Sequence, residues 1–159
     1  MYVLYVFGTY HRIKDKQPIE INSLNATEGS KVKTGVEYTA GTYNVGFGAY
    51  TPDYSFFMDG GKYSRCFSKQ SGIDAINGAA DYAKSENPDF MIFEEVDRDS
   101  TRSYHVNQEN LINKKFQGYF QNFAVNYDSA YLFYPFNEPI GKSYSGISVY
   151  SKYEITSAL

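Results

Sequence analysis

The sequence predicts a mixed α/β domain in which one sheet carries helices on one of its faces. Three observations indicate this class: a strand pattern at 36–45, a helical spacing of apolar residues at 68–85, and an almost continuous apolar run at 89–94. A strand, a helix and a strand in this order form a βαβ unit, whose strands run parallel with a right-handed crossover. The length of 159 residues allows one domain with a sizeable core.

The composition is that of a globular protein with a high aromatic content. The chain is 42% hydrophobic and 21% charged, and it has 17 Tyr and 12 Phe but no Trp. Such aromatic residues favour strands, with the Tyr hydroxyls at a wet edge or in a pocket. A net charge of −3 and a pI near 5.4 argue against a broad basic face that holds nucleic acid. The single cysteine, Cys66, cannot form an intrachain disulfide.

The first 34 residues are predicted to be an extension and linker, and the domain is predicted at 35–159. The apolar segment Met1–Phe7 is interpreted as a short strand or a stub, since it is far shorter than the roughly 20 residues that span a bilayer. A basic stretch follows at 11–16, and then a region of linker composition with a short extended piece at 19–21.

The first strand of the domain is predicted at 36–45, where β-branched and aromatic residues alternate with small or polar ones. It ends at Asn44 because Gly46 and Gly48 interrupt the pattern. Residues 46–67 contain paired glycines and a proline without a sustained period, which indicates a long ordered loop. Loops of this length in compact domains are commonly functional.

The helix at 68–85 has Ser68 or Ser71 as its N-cap. The run at 89–94 is predicted to be a strand buried on both faces, as in a sheet covered by helices. The later elements are predicted as a loop at 99–104, a helix at 108–115, strands at 118–127 and 145–155, and a segment at 131–134 that pairs with the strand at 118–127.

Candidate functional residues follow the predicted parallel strands. Ligands of open α/β sheets gather outside the carboxyl ends of strands, which selects Asn44 and the acidic run Glu94–Asp97. Mg²⁺ prefers oxygen ligands and is often held by one or two carboxylates, so Glu95 is the predicted metal ligand. Spacing alone favours a solvated acidic strand end and an Asx turn at Asn44. His105, beside Tyr104, is a candidate general base or phosphate contact, although a lone histidine in a polar loop is more often neither.

Three sequence blocks carry a resemblance to a known family. They are TYNVGFG at 42–48, FFMDGGK at 56–62 and DFMIFEEVD at 89–97, the last followed by Arg102-Ser103-Tyr104. Together they resemble the endonuclease/exonuclease/phosphatase family, the group of deoxyribonuclease I and the Mg²⁺-dependent sphingomyelinases and inositol phosphatases. The likeness runs from about residue 36 to residue 159. It implies half of a DNase I-like four-layer α/β sandwich, with a mixed sheet and helices on one face.

The resemblance implies a phosphoester hydrolase that uses Mg²⁺ or Mn²⁺. In this family's chemistry Asn44 would orient the scissile phosphate or the attacking water and take part in coordinating the metal, and Glu95 would bind the metal. The metal polarises a phosphoryl oxygen while water attacks in line. Glu94 stands where family members usually have Gln. The further residues expected next to the substrate or behind the metal site are Glu94, Asp97, Tyr104 and His105.

The second half of the family's site is missing from this sequence. That half carries an Asp-x-Asn strand end and a Ser-Asp-His block that supplies the general base, and neither occurs here. The chain is therefore expected to be a truncated, inactive N-terminal half with an uncovered apolar sheet face. The alternative is a non-enzymatic module that associates with itself through that face. A Tyr-rich carbohydrate-binding module ranks below both, because it predicts no helix at 68–85. The FFMDGGK block at 56–62 is similar to that of a bacterial branch of the family, whose members often begin with a membrane anchor; by this resemblance residues 2–7 would be the remainder of one.

Overall fold

The computed structural model describes all 159 residues and contains a five-stranded mixed sheet with three α-helices. The helices are α1 (Tyr2–Thr9), α2 (Lys69–Ser85) and α3 (Gln108–Lys115). The strands are β1 (Ile21–Leu24), β2 (Ala40–Asn44), β3 (Phe90–Asp97), β4 (Tyr119–Asp128) and β5 (Tyr144–Ser151). Their order in the sheet is β1-β4-β5-β3-β2; β2 and β3 are parallel and the other pairs antiparallel. The predicted mixed α/β class is confirmed.

The predicted βαβ unit is formed by β2, α2 and β3. Helix α2 begins after Ser68 because two serines cap it reciprocally: the Ser71 backbone N–H donates to Ser68 Oγ at 3.0 Å, and the Ser68 N–H donates to Ser71 Oγ at 2.9 Å. Helix α3 begins where predicted, with the Asn107 side chain accepting from the Asn110 N–H. The presence of α2 contradicts the all-strand architecture of a carbohydrate-binding module.

Both α2 and α3 pack on the same face of the sheet and form the main core with it. Fully burying one aliphatic or aromatic side chain in such a core contributes about 1.5–3 kcal/mol. The fully or nearly fully buried members include Ile76, Ala80, Ala83, Met91, Phe93, Ile112, Phe116 and Tyr150.

The opposite face of the sheet carries no helix. Ile92 is 38% exposed on that face, and Val149 is half-buried. The prediction that residues 89–94 are buried on both faces is therefore wrong, because both helices lie on the side of Met91 and Phe93. Apolar strand residues are left partly uncovered on the other side.

The first residues form a helix, α1, and not the predicted strand or stub. A lone strand leaves its backbone N–H and C=O groups without partners, whereas a helix pairs its own. The rings of Tyr2 and Tyr5 pack edge-on against Phe133, with centroids 6.2 and 5.7 Å apart. None of the three helices is both long and apolar enough to cross a membrane.

Two further segments differ from the sequence-based expectation. Within the first 34 residues, β1 forms an edge strand beside β4 and begins at Ile21, the last residue of the extended piece predicted at 19–21. The prediction that residues 131–134 pair with β4 is wrong, since Leu132 pairs with Gly141 and closes a loop on itself. Strand bounds also shift: β2 begins at Ala40, β3 runs on to Asp97 and β5 ends at Ser151.

Two irregularities of the sheet lie on either side of β5 at the same level. The register of β3 shifts between Phe93 and Val96, and that of β4 shifts between Val125 and Tyr127. Gly146 of β5 pairs with Val96 on one side and with Val125 on the other. Bulges of this kind bend a strand and re-aim its side chains, often next to functional sites.

Candidate functional site

The structure brings Asn44 and Glu95 together at the carboxyl ends of β2 and β3. Asn44 Nδ2 donates to Glu95 Oε1 at 2.8 Å, and Asn44 Oδ1 accepts from the backbone N–H of Gly46 at 2.9 Å. The second bond is the Asx turn that the spacing favours. Because both ends of the amide are engaged within the protein, Asn44 holds the Glu95 carboxylate in place. Its part in coordinating a metal stays a prediction.

Glu95 owes its orientation to the bulge in β3. Its φ of +56° lies in the left-handed region, which costs a residue with a Cβ about 1–2 kcal/mol. The side chain is exposed, and its Oε2 has no hydrogen-bond partner in the protein. Glu94, by contrast, accepts a hydrogen bond from Thr42 Oγ1 at 2.6 Å. Backbone strain of this kind is concentrated at functional positions.

The donor set around Glu95 is small. Nowhere in the chain do three or more His, Cys, Asp or Glu side chains come together in a way that could hold a metal ion. Mg²⁺ does not require such a cage, because it keeps several waters and binds through one or two carboxylates plus substrate phosphate. One exposed carboxylate with a free oxygen therefore fits a hydrated ion of this type, with Glu94 as a neighbouring negative charge.

Arg102 lies beside Glu95 and is held by Asp97. The Asp97 carboxylate is fully buried and accepts from Arg102 Nε at 3.2 Å and from Nη2 at 2.9 Å. The guanidinium also stacks on Phe47, 4.1 Å from the ring centroid. Asp97, expected next to the substrate or behind the site, thus lies behind it and orients an arginine.

Tyr104 and His105 follow in a turn where both residues have positive φ. Tyr104 packs against the small cluster around Phe47. His105 Nδ1 lies 2.5 Å from Asp99 Oδ1, and both side chains are exposed. Glu95 lines two cavities, one of about 290 Å³ that it shares with Arg102 and one of about 380 Å³ that it shares with Asn44, Gly46 and Tyr50. Neither includes His105, so the structure does not bring this histidine to the carboxylate.

The cleft at Glu95 also contains residues that sequence reasoning did not select. The cavity of about 290 Å³ is lined by Phe47, Tyr50, Phe56, Glu95, Arg102, Asn126, Tyr127 and Ser145. Strand β4 runs in the same direction as β3, since both are antiparallel to β5. The rule that selected the ends of β2 and β3, applied to β4, would have selected Asn126 as well.

Tyr50 borders both cavities that contain Glu95. Burial, followed by the nearby negative charges of Asp59 and Glu95, raises the pKa of the Tyr50 phenol above its ordinary value. The phenol therefore stays protonated at neutral pH and can donate a hydrogen bond into the cleft.

Comparison with protein-family models, with curated proteins and with solved structures finds no match to this chain. The function is therefore inferred from the geometry of the cleft and from the resemblance of the three sequence blocks.

Proposed function

We propose that the chain carries the metal-binding half of a phosphoester hydrolase of the endonuclease/exonuclease/phosphatase type, with Mg²⁺ or Mn²⁺ as its ion. The observation that supports this most directly is the 2.8 Å contact between Asn44 and Glu95 across the ends of β2 and β3. It joins the two residues that the family resemblance selects independently. The outward turn of Glu95 in its bulge adds a carboxylate oxygen that the protein itself does not use.

Each side chain has a separate part in this proposal. An ion bound at Glu95 would polarise a phosphoryl oxygen and stabilise the charge that develops as water attacks. Asn44 holds Oε1 of Glu95 and leaves Oε2 to face solvent. Tyr50 offers a neutral donor at the same cleft. No histidine lines the cleft to act as general base, so we expect the chain alone to turn over substrate slowly or not at all.

The test of the site is Mn²⁺ binding, measured by electron paramagnetic resonance of the free ion. We expect Glu95→Gln to weaken binding by at least about tenfold, because it removes the charged ligand. The matched control is Glu86→Gln, an exposed glutamate at the end of α2. Equal Mn²⁺ affinity in the Glu95 variant and the wild type would overturn the assignment. Robust Mg²⁺-dependent hydrolysis of bis(p-nitrophenyl) phosphate would overturn the expected inactivity.

A second candidate, self-association without catalysis, is favoured by the sheet face that lacks a helix. Ile92 is 38% exposed there, beside half-buried Val149. Apolar patches on soluble domains promote association when they are contiguous. Light scattering after size exclusion separates the two candidates: association should be present in the wild type and lost in Ile92→Lys. A monodisperse wild-type monomer would contradict this candidate and leave the first in place.

A further inference from the structure

The guanidinium of Arg102 has one nitrogen that the protein leaves unused. Nε and Nη2 donate to Asp97, and Nη2 also approaches Ser145 Oγ at 3.5 Å. Nη1 has no hydrogen-bond partner in the protein. It is nevertheless open to solvent, since the hydroxyl of Tyr54 is the one fully buried side-chain polar atom without a partner. Arginine carries five N–H donors in a fixed fork, so the two on Nη1 remain available, and Arg102 is one of the residues that line the cleft.

The rest of the Arg102 side chain is immobilised. The residue is only 9% exposed, its charge is paired with the fully buried Asp97, and its plane rests on the Phe47 ring. A donor that is already fixed loses little conformational entropy when it binds a ligand. Arginine is also the side chain whose planar fork best matches the oxygens of phosphate.

A second arginine in the chain shows the same packing without the cleft. Arg98 stacks on Phe123, 3.9 Å from the centroid, and donates through Nη2 to Glu109 at 2.9 Å, with Nε on the other carboxylate oxygen. Glu109 is nearly as buried as Asp97. Arg98 lines neither cavity that contains Glu95. Arg98 lines a different cavity and its side chain is the more exposed, at 32% against 11% for Arg102, so the pairs share their ion pair and ring contact but face different surroundings.

Other donors surround the free edge of Arg102. The cavity that it lines is also lined by Ser145, Asn126 and Tyr50, which carry a hydroxyl, an amide and a phenol. The opposing charge is the Glu95 carboxylate, and Asp59 lies near Tyr50. The cleft thus combines several neutral donors and one fixed cation with the Glu95 carboxylate, which weakens the binding of an anion but does not engage the donors of Arg102. Glu94 and Asp59 add negative charge nearby.

We propose that this cleft is a phosphoryl-binding subsite in which Arg102 Nη1 donates to one phosphate oxygen and Ser145, Asn126 and Tyr50 supply the remaining donors. The inference extends the proposed function, because it places the phosphate of the substrate beside the carboxylate expected to hold the ion. It also stands apart from that function, because Arg102 binds the anion whether or not Glu95 binds a metal.

Two substitutions that should change phosphate affinity in opposite directions test the subsite without any metal. Inorganic phosphate is titrated into the full chain in a metal-free buffer that contains a chelator, and binding is followed by ¹H–¹⁵N correlation spectra. We expect Arg102→Gln to weaken phosphate binding by at least about tenfold, since a hydrogen bond to a charged group is lost. We expect Glu95→Gln to strengthen it several-fold, because the repulsive charge is removed. The matched control Arg98→Gln should leave it unchanged.

A second variant serves as the control for loss of folding. Arg102→Gln leaves the Asp97 charge buried and unpaired, which destabilises the fold. The double variant Asp97→Asn/Arg102→Gln replaces the ion pair by two amides that can hydrogen-bond to each other. A folded double variant that binds phosphate as tightly as the wild type would overturn the proposal, and so would equal weakening in Arg98→Gln.

The outcomes also separate this proposal from the proposed function. Phosphate binding that depends on Arg102, in a chain whose Mn²⁺ affinity ignores Glu95, would refute the metal site and retain the subsite. Mn²⁺ binding that depends on Glu95, with phosphate binding indifferent to Arg102, would do the reverse. If both are correct, Mn²⁺ should tighten phosphate binding in the wild type and lose this effect in Glu95→Gln.

Discussion

The bulge that turns Glu95 outward places a non-glycine residue at a φ of +56°. Replacing Glu95 by Ala and by Gly isolates the backbone contribution to this conformation. Both substitutions remove the carboxylate and its hydrogen bond from Asn44, so the difference between them does not contain that bond. The neighbouring pair Glu94→Ala and Glu94→Gly serves as control, because Glu94 is not among the residues with positive φ.

The expected magnitude follows from two opposing effects. A Cβ in the left-handed region costs about 1–2 kcal/mol, whereas glycine costs about 0.5–1 kcal/mol through its greater freedom in the unfolded chain. At position 95 the first effect exceeds the second, so Glu95→Gly should be more stable than Glu95→Ala by about 0.5–1 kcal/mol. At position 94 only the second effect acts, so Glu94→Gly should be the less stable by about 0.5–1 kcal/mol.

Urea unfolding followed by far-ultraviolet circular dichroism measures these differences. With an m-value of about 2 kcal/mol/M, each pair should differ in midpoint by about 0.25–0.5 M, in opposite directions. Both Glu95 variants should lose Mn²⁺ binding, so the glycine that relieves the backbone strain would also remove the metal site. The same order of stability at positions 94 and 95 would refute the reasoning that the bulge strains Glu95.

Two other properties of the structure can be tested in solution. Gly146→Ala should destabilise the fold by about 1–3 kcal/mol in urea unfolding, because the new methyl group would meet the Ala124 carbonyl oxygen and lie 2.8 Å from the Phe123 ring. Gly78→Ala on α2 should stabilise the fold by about 0.5–1 kcal/mol, because a Cβ at this position would meet no atom within 4 Å. Equal changes in unfolding free energy for the two variants would contradict the packing at Gly146. Hydrogen bonding from the Thr39 backbone holds the pKa of Asp89 below its usual value. This stabilisation is present above the unfolded-state pKa of Asp89 and is lost as the pH falls through the folded-state pKa. The stability gap between the wild type and Asp89→Asn should therefore be smaller at about pH 2 than at about pH 6, and an unchanged gap would exclude this contribution.

The elements predicted correctly are those whose signals lie within a few residues. Ser68 and Ser71 form the capping box that starts α2, and α3 begins and ends at the residues expected from its pattern. The order of strand, helix and strand then predicted that β2 and β3 are parallel, because a crossover helix returns the chain to the end of the sheet at which β2 begins. The contact between Asn44 and Glu95 follows from the same parallel pairing.

The incorrect predictions concern segments whose structure depends on distant partners. Residues 2–9 are apolar enough for a strand, yet no edge of the sheet receives them, and they form a helix against Phe133. The apolar run at 89–94 does not reveal that α2 and α3 share one face and leave Ile92 partly exposed. Burial on one face or two is decided by what packs there.

The sequence by itself determined the α/β class, the helices α2 and α3, and the strand ends that carry Asn44 and Glu95. These follow from caps, periodicity and strand order, which act over short stretches of chain. Only the tertiary structure decided that a bulge turns Glu95 outward, that Asp97 orients Arg102, and that Asn126 and Ser145 complete the cleft. The physical reason is that a bulge and a cleft arise from the pairing of separate strands, so no single segment of sequence contains them.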